Sequence, residues 1–227
     1  MALPPSADPT RKKLVTAAEA LFAEHGIEAV SLRSITRAAG QRNANALQYH
    51  FGDRSGLVRA VLEKHNAGID PLRWAMLDSY EQTIPDDQAT AVHRLAAALV
   101  EPSASKLSDP DGGRDYLRIF PQLLDRPGVN LRDMAEDELT GSISRWRSLV
   151  AGVLPAVFVE TLHRRFTALR FMSVELARRA SASPSIDDSL FVSHLTDLIA
   201  ATLSARISQR TSDLLDNRAR HSATPRR

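Results

Sequence analysis

Residues 31–57, SLRSITRAAGQRNANALQYHFGDRSGL, divide into two short helical patterns around a turn. Ser31 stands where it can cap a helix whose apolar face is Leu32, Ile35 and Ala39, with Gly40 as its stop. The capping box is incomplete, because Ser34 occupies the place where Glu or Gln would return the bond. A second helix, Ala44 to His50, follows Asn43 as its expected cap and buries Leu47; Phe51-Gly52 breaks it. Asp53 then caps a further helix carrying Leu57, Val58, Val61 and Leu62. Two short helices joined by a tight turn are the layout of a helix-turn-helix.

The second helix has one apolar anchor and is otherwise rich in donors: Arg42, Asn43, Asn45, Gln48, Tyr49 and His50. Such a helix is either a solvated face or a reader of something polar. Asn and Gln can bond base edges bidentately, while Arg and Tyr reach bases or phosphates. The N-termini of the two flanking helices offer free backbone N–H groups to phosphates beside Arg33 and Arg54. Basic groups, amides and helix N-termini within about 25 residues suit mixed phosphate and base contact.

Upstream, Asp8-Pro9 reads as an N-cap with proline at the first helical position. Leu14, Ala17, Ala18, Leu21 and Phe22 recur at helical spacing until Gly26. Three short helices in about fifty residues have too small a core to stand alone and must lean on the remainder of the chain. Downstream the pattern stays helical, with no period-two strand. Pro71 is expected to end or kink the helix that begins at Asp53. Val92, Leu95, Ala96, Leu99 and Val100 mark a helix within 87–107, and SDPDGG at 108–113 marks a loop. Tyr116, Phe120, Leu123 and Leu124 form a short face, and a longer helix runs through Met134, Leu139, Ile143, Trp146 and Val150 to Pro155. The two most apolar stripes come last: Val159, Leu162, Phe166, Leu169, Met172 and Leu176, then Phe191, Leu195, Leu198, Ile199, Thr202 and Leu203. They are wider than one intramolecular contact uses, so a symmetric dimer through these last two long helices is expected, with an ordinary core as the alternative.

Composition narrows the function classes. Of 227 residues none is cysteine, which removes disulfides, thiolate nucleophiles and cysteine-ligated metals. Met1–Pro5 lacks the apolar run of a secretion signal, and the longest apolar run, Leu149 to Val159, is too short to span a bilayer, so a cytoplasmic protein without membrane association is expected. The net charge of +2 hides an asymmetry. Residues 1–66 carry nine Lys and Arg against six Asp and Glu, whereas residues 67–227 carry twenty against twenty-one. A basic front end points to an anionic partner. His93, His163 and His194 are far apart, the 109–115 loop fails the calcium-loop pattern, and no phosphate-binding loop or nucleophile elbow is present; no metal, no cofactor and no enzyme activity are expected.

The segments AAEALFAEHGIEAVSLRSITRAAG (17–40) and LQYHFGDRSGLVRAVL (47–62) resemble the tetracycline-repressor (TetR) family of bacterial transcriptional regulators. The resemblance covers about residues 9–66 and is architectural beyond them. It implies that Ser31 and Arg33 touch phosphate and that Asn43 caps the recognition helix. It implies further that Ala44, Asn45 and Ala46 face the major groove, and that Gln48, Tyr49 and His50 contact bases and backbone. Arg54 would take the usual lysine's place on phosphate, with Leu47 and Phe51 packing inside against Leu21 and Phe22. Two departures stand out: Gln41-Arg42 lengthen the turn by one residue where the family has valine after the glycine, and Gln48 sits where tyrosine is common.

The expectation is an all-α chain. Residues 1–52 form a helix-turn-helix DNA-binding domain, and a helix from Asp53 to about residue 70 links it to a helical effector-binding and dimerisation domain over 53–212. A polar tail, disordered, occupies 213–227. The function implied is a homodimeric repressor of a near-palindromic double-stranded operator, released by a small molecule. An activator or a corepressor-dependent regulator is the alternative within the fold, and an all-helical enzyme or carrier the alternative outside it. Phe120, Trp74, Trp146 and Met172 are candidates to line an effector cavity, with plain core as the competing reading.

Overall fold

The computed structural model describes residues 9–41, 45–124, 141–185 and 187–222. Among them are ten α-helices and no strand: α1 Pro9–His25, α2 Leu32–Ala38, α3 Ala46–Phe51, α4 Arg54–Gln82, α5 Gln88–Ala104, α6 Gly113–Leu124, α7 Gly141–Val153, α8 Arg164–Ser181, α9 Ser189–Ser204 and α10 Gln209–Ser222. Helices α1 to α3 make a small head. Helix α4 runs from the head into a body in which α5, α6, α8 and α9 pack on one another, with α7 against α4 and α5.

The expected punctuation operates. Gly26 ends α1 at φ 88°, and Ser31 caps α2 by accepting from the Ser34 N–H at 3.1 Å. Asp53 caps α4 through the Gly56 N–H at 2.9 Å, and Asp87 caps α5 through the Thr90 N–H at 2.8 Å. At the α3–α4 junction two glycines are required. Gly52 adopts φ 74°, and a Cβ on Gly56 would collide with the Phe51 carbonyl. The head's core is Leu14, Ala18, Phe22, Ile35, Leu47 and Leu57, each at most 2% exposed and continuous with the body's core. Because that core is shared, the head borrows from the body the apolar burial that its length denies it.

Three sequence expectations are corrected. Pro71 neither ends α4 nor breaks it; the helix continues to Gln82 and buries Ile69, Arg73, Leu77 and Tyr80. Proline costs a helix interior about 3 kcal/mol, and burial of the apolar side chains Ile69 and Leu77 with the Tyr80 ring, at about 1.5–3 kcal/mol each, outweighs it. The stripe from Val159 to Leu176 is not one helix. Residues Val157–Thr161 form a π turn, His163 is left-handed at φ 50°, and α8 starts at Arg164. Its buried face is Ala168, Leu169, Met172, Ser173 and Leu176. Arg164 stabilises the break: it lies 3.5 Å over the Phe158 ring and donates to the Leu203 carbonyl at the end of α9. Helix α3 is described from Ala46, with Asn45 at its N-cap; the expected start Ala44 and cap Asn43 lie outside the described residues. Finally, the polar segment expected to be disordered from Asp213 is helical to Ser222.

Candidate nucleic-acid interface

Helix α3 is only six residues long, so its orientation comes from packing and not from its own propensity. Ala46 at 8% exposure and Leu47 at 2% fix one side to the core. Asn45, Gln48 and Tyr49 therefore lie outward, and Tyr49 is 85% exposed. His50 is half-buried, with its ring edge-on to Tyr49 at 5.0 Å. Phe51, also half-buried, is held beneath the Arg11 guanidinium at 5.3 Å, and Arg11 pairs with Glu63 at 3.5 Å. The helix thus presents an amide, a second amide and a phenol along one row, over an aromatic base clamped by α1.

Ser31 and Arg33 are exposed at the N-terminus of α2, where backbone N–H groups and a cation face the same solvent. The Ser31 hydroxyl is engaged with Ser34, which orients it without burying it. Lys12, Lys13 and Arg37 are exposed on the same head. The arrangement can place positive charge and donors against a polyanion, with amides toward base edges.

One residue differs from the sequence reading. Ala46 does not face outward; at 8% exposure it is core, on the same side of α3 as Leu47. Arg54, expected on phosphate, is half-buried, and its guanidinium donates to the Ile27 carbonyl in the α1–α2 turn. Arg42, Asn43 and Ala44 lie outside the described residues.

Sequence reasoning missed what fastens the head to the body. Glu19 on α1 is 1% exposed and bonds His65 Nε2 and Lys64 Nζ on α4, the latter at 2.8 Å. Lys64 reaches Asp111 in the α5–α6 loop at 3.1 Å, and burial, which lowers its pKa, is outweighed by the bonds to Glu19 and Asp111, which raise it. The His65 ring stacks on Tyr116 of α6 at 4.4 Å, and Tyr116 stacks on Phe120 at 5.8 Å. The signal was present: Glu19 interrupts the apolar face formed by Val15, Ala18 and Phe22.

In the body, Arg73 is 3% exposed and joins three helices. It donates to the Ala98 carbonyl and Ser103 Oγ of α5 and to Ser142 Oγ of α7, each at 3.1 Å. Burial pulls its pKa down to about 10. Ser142 donates in turn to Asp70 at 2.6 Å. Trp146 and Met172, at 1% exposure, are core, and the Trp146 indole donates to the Leu95 carbonyl at 2.7 Å. Trp74 is half-buried under Arg145 at 5.0 Å, and Phe120 is half-buried. An open cleft of about 550 Å³ lies at the α8–α9 turn, among Arg179, Asp188, Phe191, His194 and Asp197. Among the described residues no three His, Asp or Glu side chains gather as a metal site needs, and no single helix is long and apolar enough to cross a membrane.

Residues 14–61 match the family described as bacterial regulatory proteins, tetR family. The fold resembles FadR, a fatty acid degradation regulator from Bacillus halodurans, at TM-score 0.55 and 15% identity, over 87% of this chain and 96% of that one. AmtR from Mycobacterium smegmatis aligns at TM-score 0.53 and 20% identity, over 97% and 98%. The multidrug binding protein EbrR, solved with malachite green, aligns at TM-score 0.50 and 16% identity, over 85% and 98%. At these identities the likeness is one of fold. No curated protein matches the chain.

Proposed function

We propose, from this chain's membership of the TetR family of bacterial transcriptional regulators, that it is a cytoplasmic homodimeric repressor without enzymatic activity. It binds a near-palindromic operator and is released by a small molecule held in the helical body. The observation that carries the reading is the outward row of Asn45, Gln48 and Tyr49 on a helix locked from behind by Ala46 and Leu47. A phenol 85% exposed beside two exposed amides is poor folding material and good recognition material.

In this reading residues 1–52 are the reading head and 53–212 the sensing and dimerising body. Ser31 and Arg33 meet phosphate, and Asn45, Gln48, Tyr49 and His50 meet bases and backbone, with Arg42, Asn43 and Ala44 alongside. Two heads related by a two-fold axis enter successive major grooves, with recognition helices about 34–36 Å apart. The solved complex of EbrR with malachite green supports a small-molecule site for this fold. An effector favouring a conformer with the wrong head spacing lowers operator affinity by population shift.

Binding-site selection from a random duplex pool tests this. The expected result is enrichment of a two-fold-symmetric sequence, bound with an affinity that falls steeply as salt rises. Recovery of an unenriched pool at low salt would overturn the reading.

A further inference from the structure

Ile27, the first residue after the glycine that ends α1, is 2% exposed, and the rest of the molecule grips its backbone from two sides. Its N–H donates to Gln122 Oε1 on α6 at 3.0 Å, across 95 residues of sequence. Its carbonyl accepts from Arg54 in the first turn of α4. The Gln122 amide is itself oriented, because Nε2 donates to the Arg118 carbonyl one turn back at 3.2 Å, leaving Oε1 toward the head. The helical bonding of α1 ends with the Gly26 N–H on the Phe22 carbonyl, so the buried Ile27 N–H depends on Gln122 for its acceptor.

The position of this link gives it leverage. Ile27 precedes the α2 cap, Ser31, by four residues, so the turn it occupies sets where α2 begins. Arg54 follows Gly52, the end of α3, by two residues, so the same carbonyl is tied to the α3–α4 junction. Helix α6 thus holds, through one backbone unit, both approaches to the recognition helix. A parallel contact keeps α1, α4 and the loop before α6 in register: Glu19 with Lys64 and Lys64 with Asp111.

We propose that Gln122 is a positioning residue for DNA binding, setting the α1–α2 turn and with it α3 from within the body. This rests on the DNA-binding reading above. Displacement of α6 moves the acceptor of a head donor, so this link transmits changes in the body to the head.

The test uses the full-length chain and the duplex selected by the wild type. Gln122→Met keeps the length and bulk of the side chain and removes the acceptor. Its Kd is expected to rise on the order of tenfold. The slope of log Kd against log salt stays unchanged because no phosphate contact is lost, and hydrogen exchange rises at residues 26–30 while the body stays protected. Arg54→Met cuts the link from α4 and stands in if the first variant does not fold. It is expected to weaken binding with the same unchanged slope, and the double variant to bind no worse than the weaker single one. Wild-type affinity in Gln122→Met, or a salt slope reduced by about one in Arg54→Met, overturns the assignment. A wild type that selects no sequence overturns the DNA-binding reading and this assignment with it, so the two failures are distinguishable.

Discussion

Asn45 and Gln48 carry the specificity prediction. Both are exposed amides on a helix whose other side is core, and bidentate amide contacts discriminate bases by about 1–3 kcal/mol. Replacing either with Ala should relax the selected consensus at one or two positions per half-site, and sequencing of reselected pools measures it. An unchanged consensus would remove that residue from base reading. Glu19 carries a stability prediction of a different kind. Its carboxylate is buried with His65 and Lys64, and removing it leaves the buried His65 Nε2 without its partner while Lys64 keeps only Asp111. Glu19→Ala should destabilise the fold by about 3–5 kcal/mol, read from chemical denaturation. A change below about 1 kcal/mol would mean that water reaches the cluster. The row on α3 was legible in the sequence because polar residues beside one apolar anchor are a local pattern. The roles of Glu19 and Arg54 were not, because their partners stand 45 and 27 residues away.

At the scale of elements, the caps and stops of the head were legible nearly to the residue. Gly26, Ser31 and Asp53 act within one turn of themselves. Ser31→Ala should cost about 1 kcal/mol through the lost cap. Gly52→Ala should cost about 1–3 kcal/mol by forcing a side chain into positive φ. Thermal unfolding separates the two, since only Ser31→Ala should be partly restored by Asp at that position. The elements that were misread all involve continuity. Pro71 was expected to end or kink α4, and the helix continues through it; Val159 to Leu176 looked like one stripe and is a π turn, a left-handed His163 and a new helix. Periodicity registers which residues are apolar and is blind to a single residue of irregular backbone between them.

For the whole molecule, the proposed dimer can be tested at three exposed apolar side chains. Val174 on α8 is 49% exposed, and Leu190 and Leu198 on α9 are 84% and 37% exposed, on the two helices whose stripes were too wide for one contact. Val174→Asp with Leu198→Asp should give a monomer by light scattering and weaken operator binding, since each half-site is then bound alone. A variant that stays dimeric places the interface elsewhere. The pH profile has two limbs. Asp109, held low by its bond to Lys106, and Asp87, held low by the Thr90 N–H, have folded pKa values below their unfolded ones. Their stabilisation is present above the unfolded value and lost as pH falls through the folded one. Asp115 works against them, because burial raises its pKa and acid relieves that cost. Lys64 has a raised folded pKa, so its contribution is full below about pH 10 and lost above. The urea midpoint should fall below about pH 4 and above about pH 10, and Lys64→Met should flatten the alkaline limb.

The sequence by itself determined the helical class, the helix-turn-helix, the polar row on its second helix and the basic front end. Each is written in residues within a few turns of one another, where capping, periodicity and charge act directly. Only the tertiary structure decided that Ala46 is core, that Arg54 holds the Ile27 carbonyl, that Glu19 is a buried anchor and that Gln122 reaches the head. Those roles belong to pairs far apart in the chain. A side chain's chemistry says what it can bond, and only the packing of helices says which partner stands within bonding distance once the chain has folded.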